Sequence, residues 1–314
     1  MPSAPRCRPY VAAAAANQAK RATIMMLTEL PKRALRSTVL GRPSLSMEIA
    51  SLRLKQGRHK VSQVLVQLTE DCALGSRGES LQLPIDTEIL PVVLNEGAWE
   101  AHVVDAFLRH VPAVGRYTLV DIGANVGLFS RQVLRARTSI VSACCVEPSP
   151  DNFACLSQNL GSDPRAQLHP YALGETTQRR TLYRDAFNHG NYSLLSAGVP
   201  QEHREESAIE LVKVGEFFAS TPLASHDLLW KSDTQGYDQL IVSLMPDDIW
   251  SRVRVAVMEL CPARKPNYEL PAMAAKLRRF RRLEFVGLGA TSVDEVLAFL
   301  QKPDAQQRDL LAVE

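Results

Sequence analysis

Hydrophobic and polar positions follow one another in blocks from residue 117 to the end of the chain. Short runs of continuous apolar character, such as IVSACCV at 140–146, are typical of strands that are covered on both faces of a parallel sheet. Between these runs, apolar residues recur every three to four positions, which indicates amphipathic helices. The pattern predicts an α/β fold with a Rossmann-like, doubly wound sheet.

The predicted elements can be placed along the chain from the same pattern. A polar segment, 186–207, interrupts the alternation and is predicted to be a loop over a site. We expect strands at 117–122, 140–147, 166–172, 180–184, 227–232, 252–259, 283–288 and 309–313, and helices at 126–136, 150–160, 208–218, 237–244 and 270–280.

The residues ahead of this alternation are predicted to form two further regions. Residues 47–95 are an N-terminal extension in which 60–68 and 79–85 are expected to be short strands of a small β cap. The main domain is placed at 96–314. It is expected to open with an amphipathic helix at 97–111.

Charge is unevenly distributed along the chain. Residues 1–46 carry eight basic side chains and one acidic residue, Glu29, whereas the rest of the chain has 28 basic and 33 acidic residues, a balance of −5. A nucleic-acid binder carries its basic stripe on the folded domain, so we expect no nucleic-acid partner. The basic, alanine-rich stretch 1–46 is predicted to be a disordered leader. A targeting segment and a misassigned start stay open as alternatives, because Met25, Met26 and Met47 offer later starts.

Composition favours a globular protein, and the cysteines favour a cytoplasmic one. With 46% apolar and 22% charged residues, the chain can bury one large core, and no run approaches the about 20 apolar residues that a membrane span needs. The six cysteines have no CxxC spacing, and Cys144 and Cys145 lie within an apolar run. We expect buried, reduced thiols and no metal site.

The stretch TLVDIGANVGLFS, residues 118–130, carries the first chemical signal. An apolar strand ends in Asp121 and is followed by a turn with Gly123, Asn125 and Gly127. In an open parallel sheet, ligands bind beyond the carboxyl ends of the strands, where the strand order reverses. We expect the glycines to let backbone N–H groups approach a ligand there.

A second acid, Glu147, ends the next predicted strand, 20 residues after Gly127. This is the offset at which an acidic residue of a dinucleotide-type fold reaches ribose hydroxyls. The turn, however, has the form GxxxG rather than GxGxxG, and Asp121 ahead of it is expected to repel a pyrophosphate and favour a cation. S-adenosyl-L-methionine has a ribose and a sulfonium and lacks phosphate, so it is the cofactor that this pattern favours.

Five segments in order, DIGANVGLFS, VEPSPDNFACLSQNL, YALGE, WKSDTQGYD and VAVMELCP, resemble the FkbM family of S-adenosylmethionine-dependent methyltransferases over roughly 95–314. The resemblance implies a seven-stranded methyltransferase sheet with an antiparallel last strand. It also implies O-methylation of a small molecule or glycan, such as a sugar, a lipid-linked sugar or a secondary metabolite.

The resemblance further implies where the cofactor binds. The glycine turn would hold the methionine moiety, Glu147 the ribose, and the residues after Glu147 the adenine. The implied cofactor-binding residues are Asp121, Gly123, Ala124, Asn125, Gly127, Glu147, Pro148, Ser149, Asn152 and Ala172.

Three residues are candidates for the general base that takes the acceptor's proton. Asp233, which follows the predicted strand 227–232, is the first choice, and Glu259 and His189 are the others. The structural alternatives are a helix N-cap for a strand-terminal acid and an exposed loop position for His189. One departure from the family pattern, Ser232 in place of an apolar residue, bears on the acceptor side.

Two other functions stay open at this point. A non-catalytic binding domain could keep the cofactor fold without an acceptor pocket, and Ser232 gives that reading some support. A nucleotide-linked dehydrogenase is disfavoured by the GxxxG turn and Asp121. Neither the acceptor nor the oligomeric state is indicated by any motif in the sequence.

Overall fold

The computed structural model describes residues 25–26, 63–223, 225–262, 270–302 and 305–314. The predicted leader at 1–46 therefore lies outside the described residues, apart from a two-residue strand. The described strands are β1 Met25–Met26, β2 Gln63–Gln67, β3 Ser80–Pro84, β4 Tyr117–Ile122, β5 Ile140–Val146, β6 Ala166–His169, β7 Ala172–Gly174, β8 Gln178–Asp185, β9 Arg204–Lys213, β10 Asp227–Ser232, β11 Val253–Leu260, β12 Arg282–Phe285, β13 Gly289–Thr291 and β14 Arg308–Val313.

The helices lie mostly between these strands. They are α1 Ile89–Glu96, α2 Ala101–Leu108, α3 Leu128–Ala136, α4 Pro150–Leu160, α5 Val214–Ser220, α6 Asp238–Leu244, α7 Asp247–Trp250, α8 Leu270–Leu277 and α9 Val293–Leu300. Among the described residues, no helix is long and apolar enough to cross a membrane.

The main sheet has the strand order β13-β12-β14-β11-β10-β4-β5-β6. Strands β4, β5, β6, β10 and β11 pair in parallel, whereas β14 runs antiparallel to both β11 and β12. The chain moves outward from β4 to β6 and then returns to the other side of β4 as β10. The order therefore reverses between β4 and β10, which makes their carboxyl ends the switch point at which ligands bind in such sheets.

This topology confirms the predicted α/β, Rossmann-like fold and its antiparallel last strand. The sheet differs from the predicted seven strands by one, because the short strand β13 adds an antiparallel edge beside β12. Neither β13 nor α9 is predicted from the sequence pattern. Cores of apolar side chains cover both faces of the sheet, as the continuous apolar strands predict.

Several predicted elements are wrong in type or extent. Residues 208–218 were expected to be helical, but Arg204–Lys213 is a strand and only Val214–Ser220 is a helix. Ile209 and Leu211 are buried while Glu210 between them is exposed, so burial alternates with the two-residue period of a strand. Antiparallel pairing with β8 holds this segment in the strand conformation.

The predicted strand 166–172 is broken into β6 and β7, and Pro170 lies at the break, where it cannot donate a ladder hydrogen bond. Strand β7 then joins β9 and β8 in a second, three-stranded sheet. The polar loop expected at 186–207 spans 186–203, because its last residues belong to β9.

The predicted helix at 97–111 is shorter, and a separate helix, α1, precedes it. Gly97 has a φ of +63° and ends α1, so the chain turns before α2 begins. A left-handed residue at this position is a common helix C-cap.

The N-terminal strands β1, β2 and β3 form a three-stranded antiparallel sheet, hereafter the N-terminal sheet. Alternate residues of β2 and β3 are buried against α1 and against residues at the start of α3 and in α4. Asn159 of α4 also binds the edge of this sheet, because its amide oxygen accepts from Gln82 N and its amide nitrogen donates to Gln82 O. The N-terminal sheet therefore shares a core with the main domain.

Candidate functional site

A cleft of about 590 Å³, measured to its open mouth, lies over the carboxyl ends of β4, β5 and β10. Its walls come from the two turns after β4 and β5, from β7, from the loop 186–203 and from the turn after β10. The lining residues are Ile122, Gly123, Asn125, Val146, Glu147, Pro148, Asn152, Tyr171, Ala172, Leu173, Leu182, His189, Gly190, Tyr192, Leu194, Asp233, Thr234, Gln235 and Tyr237.

The backbone N–H groups of the glycine turn are used within the protein. Gly123 N and Ala124 N both donate to Val146 O, at 2.9 and 3.0 Å. Asn125 N donates to Glu147 Oε2 at 2.9 Å, and Gly127 N donates to Ala124 O at 2.8 Å. An anion at a helix N-terminus needs free N–H groups, so these four do not provide a pyrophosphate site.

Packing requires glycine at two positions of this turn, and the predicted contact of these glycines with a ligand stays a prediction. Gly123 has a φ of +75°, and a Cβ atom there would lie 1.9 Å from Asp233 O. Gly127 has a φ of +85°, and its Cβ would lie 2.8 Å from Leu156 Cδ1 of α4. The first glycine lets the turns after β4 and β10 touch, and the second lets α4 pack against the start of α3.

Asp121 lies beneath the cleft, fully buried. Ser130 Oγ donates to its Oδ2 at 2.6 Å, and Lys231 Nζ lies 3.3 Å from its Oδ1. Lys231 is the neighbour of Asp121 in the β4–β10 register, and its Nζ also donates to Gly123 O at 2.8 Å. The charge of Asp121 therefore has an internal partner in Lys231, and the predicted role of this carboxylate in cofactor binding stays a prediction.

Glu147 is nearly buried at the end of β5, with its carboxylate in the cleft wall. Its two oxygens accept from Asn125 N and Ser149 N, at 2.9 and 2.8 Å. Burial raises the pKa of Glu147 to about 7, and the two backbone donors oppose this rise. Each carboxylate oxygen can accept a further hydrogen bond, so Glu147 can receive a pair of hydroxyl donors from the cleft.

The residues after Glu147 divide between the cleft and the core. Pro148 and Asn152 line the cleft, as does Ala172 of β7. Ser149 is fully buried and caps α4, because its Oγ accepts from Asn152 N. Asn152 is 2% exposed; its Nδ2 donates to His189 O at 3.0 Å, and its Oδ1 has no hydrogen-bond partner among the residues that the structure describes.

On the other side of the cleft, Gln235 connects two of the predicted catalytic acids. Its Nε2 donates to Asp233 Oδ1 at 2.9 Å and to Glu259 Oε2 at 2.8 Å. Asp233 lines the cleft, whereas Glu259 lies behind Gln235. Burial, with the negative charge of Asp233 nearby, raises the pKa of Glu259 well above its usual value. Glu259 is therefore suited to holding Gln235 and is poorly placed to contact an acceptor.

Further carboxyl groups surround Asp233. Burial and the charge of Asp233 raise the pKa of Glu100 to about 8 and the pKa values of Asp238 and Asp309 to about 6. Asp309 faces Glu259 across the β11–β14 register. Carboxyl groups are therefore concentrated at this end of the cleft. The positive charge of Lys231 beneath it opposes the rise in the pKa of Glu100, and His102 and Lys231 both oppose the rise in the pKa of Asp309.

His189 is 4% exposed and lines the cleft, so the alternative of an exposed loop position is wrong. Its ring lies 5.5 Å from the ring of Tyr192, centroid to centroid. Two neighbouring polar residues connect this loop to the rest of the fold. Asn191 Nδ2 donates to Asp185 Oδ2 of β8 at 3.2 Å, and Ser193 Oγ donates to Gln235 O at 2.8 Å.

The structure brings most of the predicted site residues together. Six of the ten predicted cofactor residues line the cleft, namely Gly123, Asn125, Glu147, Pro148, Asn152 and Ala172, and so do Asp233 and His189. Asp121, Ala124, Gly127 and Ser149 are buried behind its wall, and Glu259 lies behind Gln235.

Sequence reasoning did not identify several polar and aromatic residues of the wall. Tyr171, Tyr192, Thr234, Gln235 and Tyr237 all line the cleft. Thr234 and Gln235 directly follow the predicted acid Asp233, which is a usable signal. The tyrosines give no such signal in the sequence, because a tyrosine near a strand end can equally be part of a core.

Four of the described cysteines, Cys72, Cys144, Cys145 and Cys155, carry free thiols, and Cys261 Sγ donates to Glu259 Oε2 at 3.3 Å. Burial raises the pKa values of the Cys144 and Cys155 thiols to about 12, which makes both unreactive. In the described part of the chain, no group of three or more His, Cys, Asp or Glu side chains is arranged to hold a metal ion.

S-adenosylmethionine fits the residues of this cleft. Glu147 offers acceptor positions for ribose hydroxyls, and the unpartnered Oδ1 of the buried Asn152 offers one for an N–H donor such as the adenine amino group. The internally bonded glycine turn suits a ligand that has no phosphate.

No family model matches the chain, and no curated protein matches it. Among solved structures, it is similar to methyltransferase FkbM from Methylobacillus flagellatus KT, with 13% identity and a TM-score of 0.39 over 63% of this chain and 43% of that one. The chain thus spans less than half the length of that structure.

Two further solved structures are similar at comparable levels. One is a SAM-dependent methyltransferase from Leishmania major, with 10% identity and a TM-score of 0.34 over 68% of this chain and 73% of that one. The other is M. capricolum TrmK in complex with S-adenosylhomocysteine, with 6% identity and a TM-score of 0.33 over 67% and 66%. At these values the assignment of the fold rests on this chain's own strand order.

Proposed function

We propose that this chain is an S-adenosylmethionine-dependent methyltransferase that methylates a hydroxyl group. The observation that carries the proposal is Glu147, a carboxylate at the end of β5 in the cleft wall, with acceptor positions left for two ribose hydroxyls. It stands at the switch point of the sheet, beside a turn whose N–H groups are already bonded. This combination supports a nucleoside ligand without phosphate at the turn.

The acidic end of the cleft supports a cationic donor. Asp233 lies in the cleft wall, and burial together with its charge raises the pKa values of Glu100, Glu259 and Asp309 near it. A cation bound beside these groups would favour their ionised forms. The cation is therefore expected to face Asp233 rather than the internally paired Asp121. S-adenosylmethionine, when bound, supplies an electrophilic methyl carbon on a positively charged sulfur.

Asp233 is the proposed general base. The acceptor hydroxyl would donate its proton to Asp233 as its oxygen forms the new bond to the methyl carbon, while the bond from that carbon to sulfur breaks and S-adenosylhomocysteine is left as the neutral product. General-base catalysis of this kind contributes typically about 100- to 10,000-fold in rate. Gln235 fixes the Asp233 carboxylate by donating to Oδ1, and Glu259 fixes Gln235 in turn. His189 and Tyr192 also line the cleft and would orient the acceptor.

The acceptor is proposed to be a small molecule or glycan with free hydroxyls, such as a sugar, a lipid-linked sugar or a secondary metabolite, as the FkbM resemblance implies. The free, buried cysteine thiols support a cytoplasmic location.

Thermal unfolding with candidate ligands tests the cofactor. S-adenosylhomocysteine at 100 times its Kd adds about 2.7 kcal/mol of stability. For a domain of this size, that raises Tm by roughly 5 to 10 °C. NAD⁺ and NADP⁺ are expected to leave Tm unchanged. Stabilisation by a nicotinamide dinucleotide alone would refute the proposal in favour of a dehydrogenase.

Transfer of a labelled methyl group into fractions of a cell extract tests the activity. Asp233→Asn is expected to lower turnover at least 100-fold while leaving the binding of S-adenosylhomocysteine within a few-fold of wild type. Asp71→Asn is the matched control, because Asp71 is an exposed aspartate of the N-terminal region. Cofactor binding without methyl transfer to any fraction would instead support a non-catalytic binding domain.

A further inference from the structure

His189 is held through its backbone from two directions. Its N–H donates to Asp86 Oδ2 at 3.3 Å, and its carbonyl accepts from Asn152 Nδ2 at 3.0 Å. Its side chain is 4% exposed and lines the cleft. The position of the imidazole ring therefore depends on two residues outside its own loop.

Asp86 belongs to the segment between the N-terminal sheet and α1, and it is 1% exposed. Its other oxygen, Oδ1, accepts from Leu90 N in the first turn of α1 at 3.0 Å. One carboxylate thus joins the start of a helix to the loop that forms a wall of the cleft. Burial raises the pKa of Asp86 to about 6, so the group is mostly ionised above pH 7 and able to accept on both oxygens.

Thr87 strengthens this connection at the adjacent position. Its backbone N–H and its Oγ1 both donate to Phe187 O, each at 2.9 Å. Within the loop, Asp185 Oδ1 accepts from Phe187 N and Asn188 N, at 3.0 and 3.3 Å, which shapes the loop but does not attach it to another element. Next to His189, hydrogen bonds attach the loop to residues 86–87 and to Asn152, and further along the loop Ser193 is attached to Gln235 O.

We propose that Asp86 is a positioning residue for His189, and that residues 86–87 therefore help to set the geometry of the cleft. A site must be held to within about half an ångström by supporting hydrogen bonds, and a displacement of about 1 Å costs on the order of 100-fold in rate. Asp86 and Thr87 provide this support from a segment that precedes the sheet in the chain. The role of His189 in methyl transfer rests on the proposed function; its positioning by Asp86 does not.

Asp86→Asn is a conservative test of the connection. Asparagine keeps the shape of the side chain but replaces one acceptor oxygen with a donor NH₂, which would face either the His189 N–H or the Leu90 N–H. Thr87→Val is the second variant, since it removes the hydroxyl donor to Phe187 O and leaves the backbone N–H in place. Asp71→Asn is the matched control, because Asp71 Oδ1 also accepts a backbone N–H, from Arg77 at 2.9 Å, at an exposed site.

The first measurement needs no ligand. The full chain is labelled at histidine Cε1, and the resonance of His189 among the seven histidines is assigned from a His189→Gln spectrum. At pH 7.5 we expect Asp86→Asn to shift or broaden the His189 resonance, Thr87→Val to do so to a smaller extent, and Asp71→Asn to leave it unchanged. An unchanged His189 resonance in folded Asp86→Asn and Thr87→Val would overturn the proposal.

The second measurement is a double-mutant cycle on methyl transfer. Asp86→Asn is expected to lower turnover about 10- to 100-fold, and Asp86→Asn with His189→Gln to be no slower than His189→Gln alone, since both changes act through one ring. Losses that multiply would overturn the proposal. If the wild-type chain transfers no methyl group, the proposed function fails, and the resonance of His189 still decides the role of Asp86.

Discussion

Replacing Gly123 with alanine is expected to separate the turns after β4 and β10. The new Cβ would lie 1.9 Å from Asp233 O and 2.8 Å from Asp233 C, which are backbone atoms and not the end of a flexible side chain. Asp233 N also donates to Ile122 O at 2.9 Å, so the two turns cannot move apart without losing a hydrogen bond.

The magnitude follows from two contributions. An L-residue with a φ of +75° costs about 1 to 2 kcal/mol relative to glycine. Forcing an extra carbon into a packed contact costs typically about 1 to 3 kcal/mol. We therefore expect Gly123→Ala to lower the free energy of unfolding by about 2 to 5 kcal/mol, a large fraction of the stability of a typical domain.

Urea unfolding of the full chain measures this effect, and Gly215→Ala is the matched control. Gly215 lies in α5, where a Cβ meets nothing within 4 Å. The same substitution there is expected to stabilise the helix by about 0.5 to 1 kcal/mol. Calorimetry should also show weaker binding of S-adenosylhomocysteine to Gly123→Ala, because the displaced turn carries Asn125 and its bond to Glu147. A Gly123→Ala protein as stable as wild type would refute the steric argument.

Two further predictions concern the charges of the site. Burial raises the pKa of Glu147 to about 7, and ribose hydroxyls donate hydrogen bonds to its ionised form. Ligand binding therefore favours loss of the proton from Glu147. The affinity for S-adenosylhomocysteine should rise about tenfold from pH 6 to pH 8. Calorimetric titrations over this pH range measure the affinity, and Glu147→Gln should abolish its pH dependence. A wild-type affinity that does not change with pH would contradict the prediction. Lys231→Met leaves the buried Asp121 without its cation and should lower the free energy of unfolding by about 3 to 5 kcal/mol. Adding Asp121→Asn should recover part of that loss in urea unfolding; no recovery would mean that the ion pair is not the cause.

The parts of the fold that the sequence predicts best are the strands with continuous apolar runs. Tyr117–Ile122 and Asp227–Ser232 have the predicted bounds, because in each an apolar run ends at a turn that begins with a polar or glycine residue. The sequence pattern predicts a helix where β9 lies, because the spacing of Ile209, Leu211 and Val212 fits both a helix and a strand over so short a segment. Only pairing with β8 selects the strand, and that pairing is not visible locally.

For the site, the sequence predicts which strand ends meet but not how their side chains pair. Lys231 and Asp121 are 110 positions apart, and they become neighbours through the register of two parallel strands. The contact that requires Gly123 is likewise made by Asp233 of another strand. His189 is buried because Asp86 and Asn152 hold its backbone, and its own polar loop gives no sign of this. Contacts between distant segments decide these features.

The buried pair of Asp121 and Lys231 makes the floor of the cleft electrically neutral before any ligand arrives. Ions in the solvent screen a buried pair far less than an exposed one, so this floor should keep its geometry from low to high ionic strength. An empty protein can accordingly hold the glycine turn in its final shape. Whatever salt sensitivity ligand binding shows would then originate at the open rim of the cleft, above that floor.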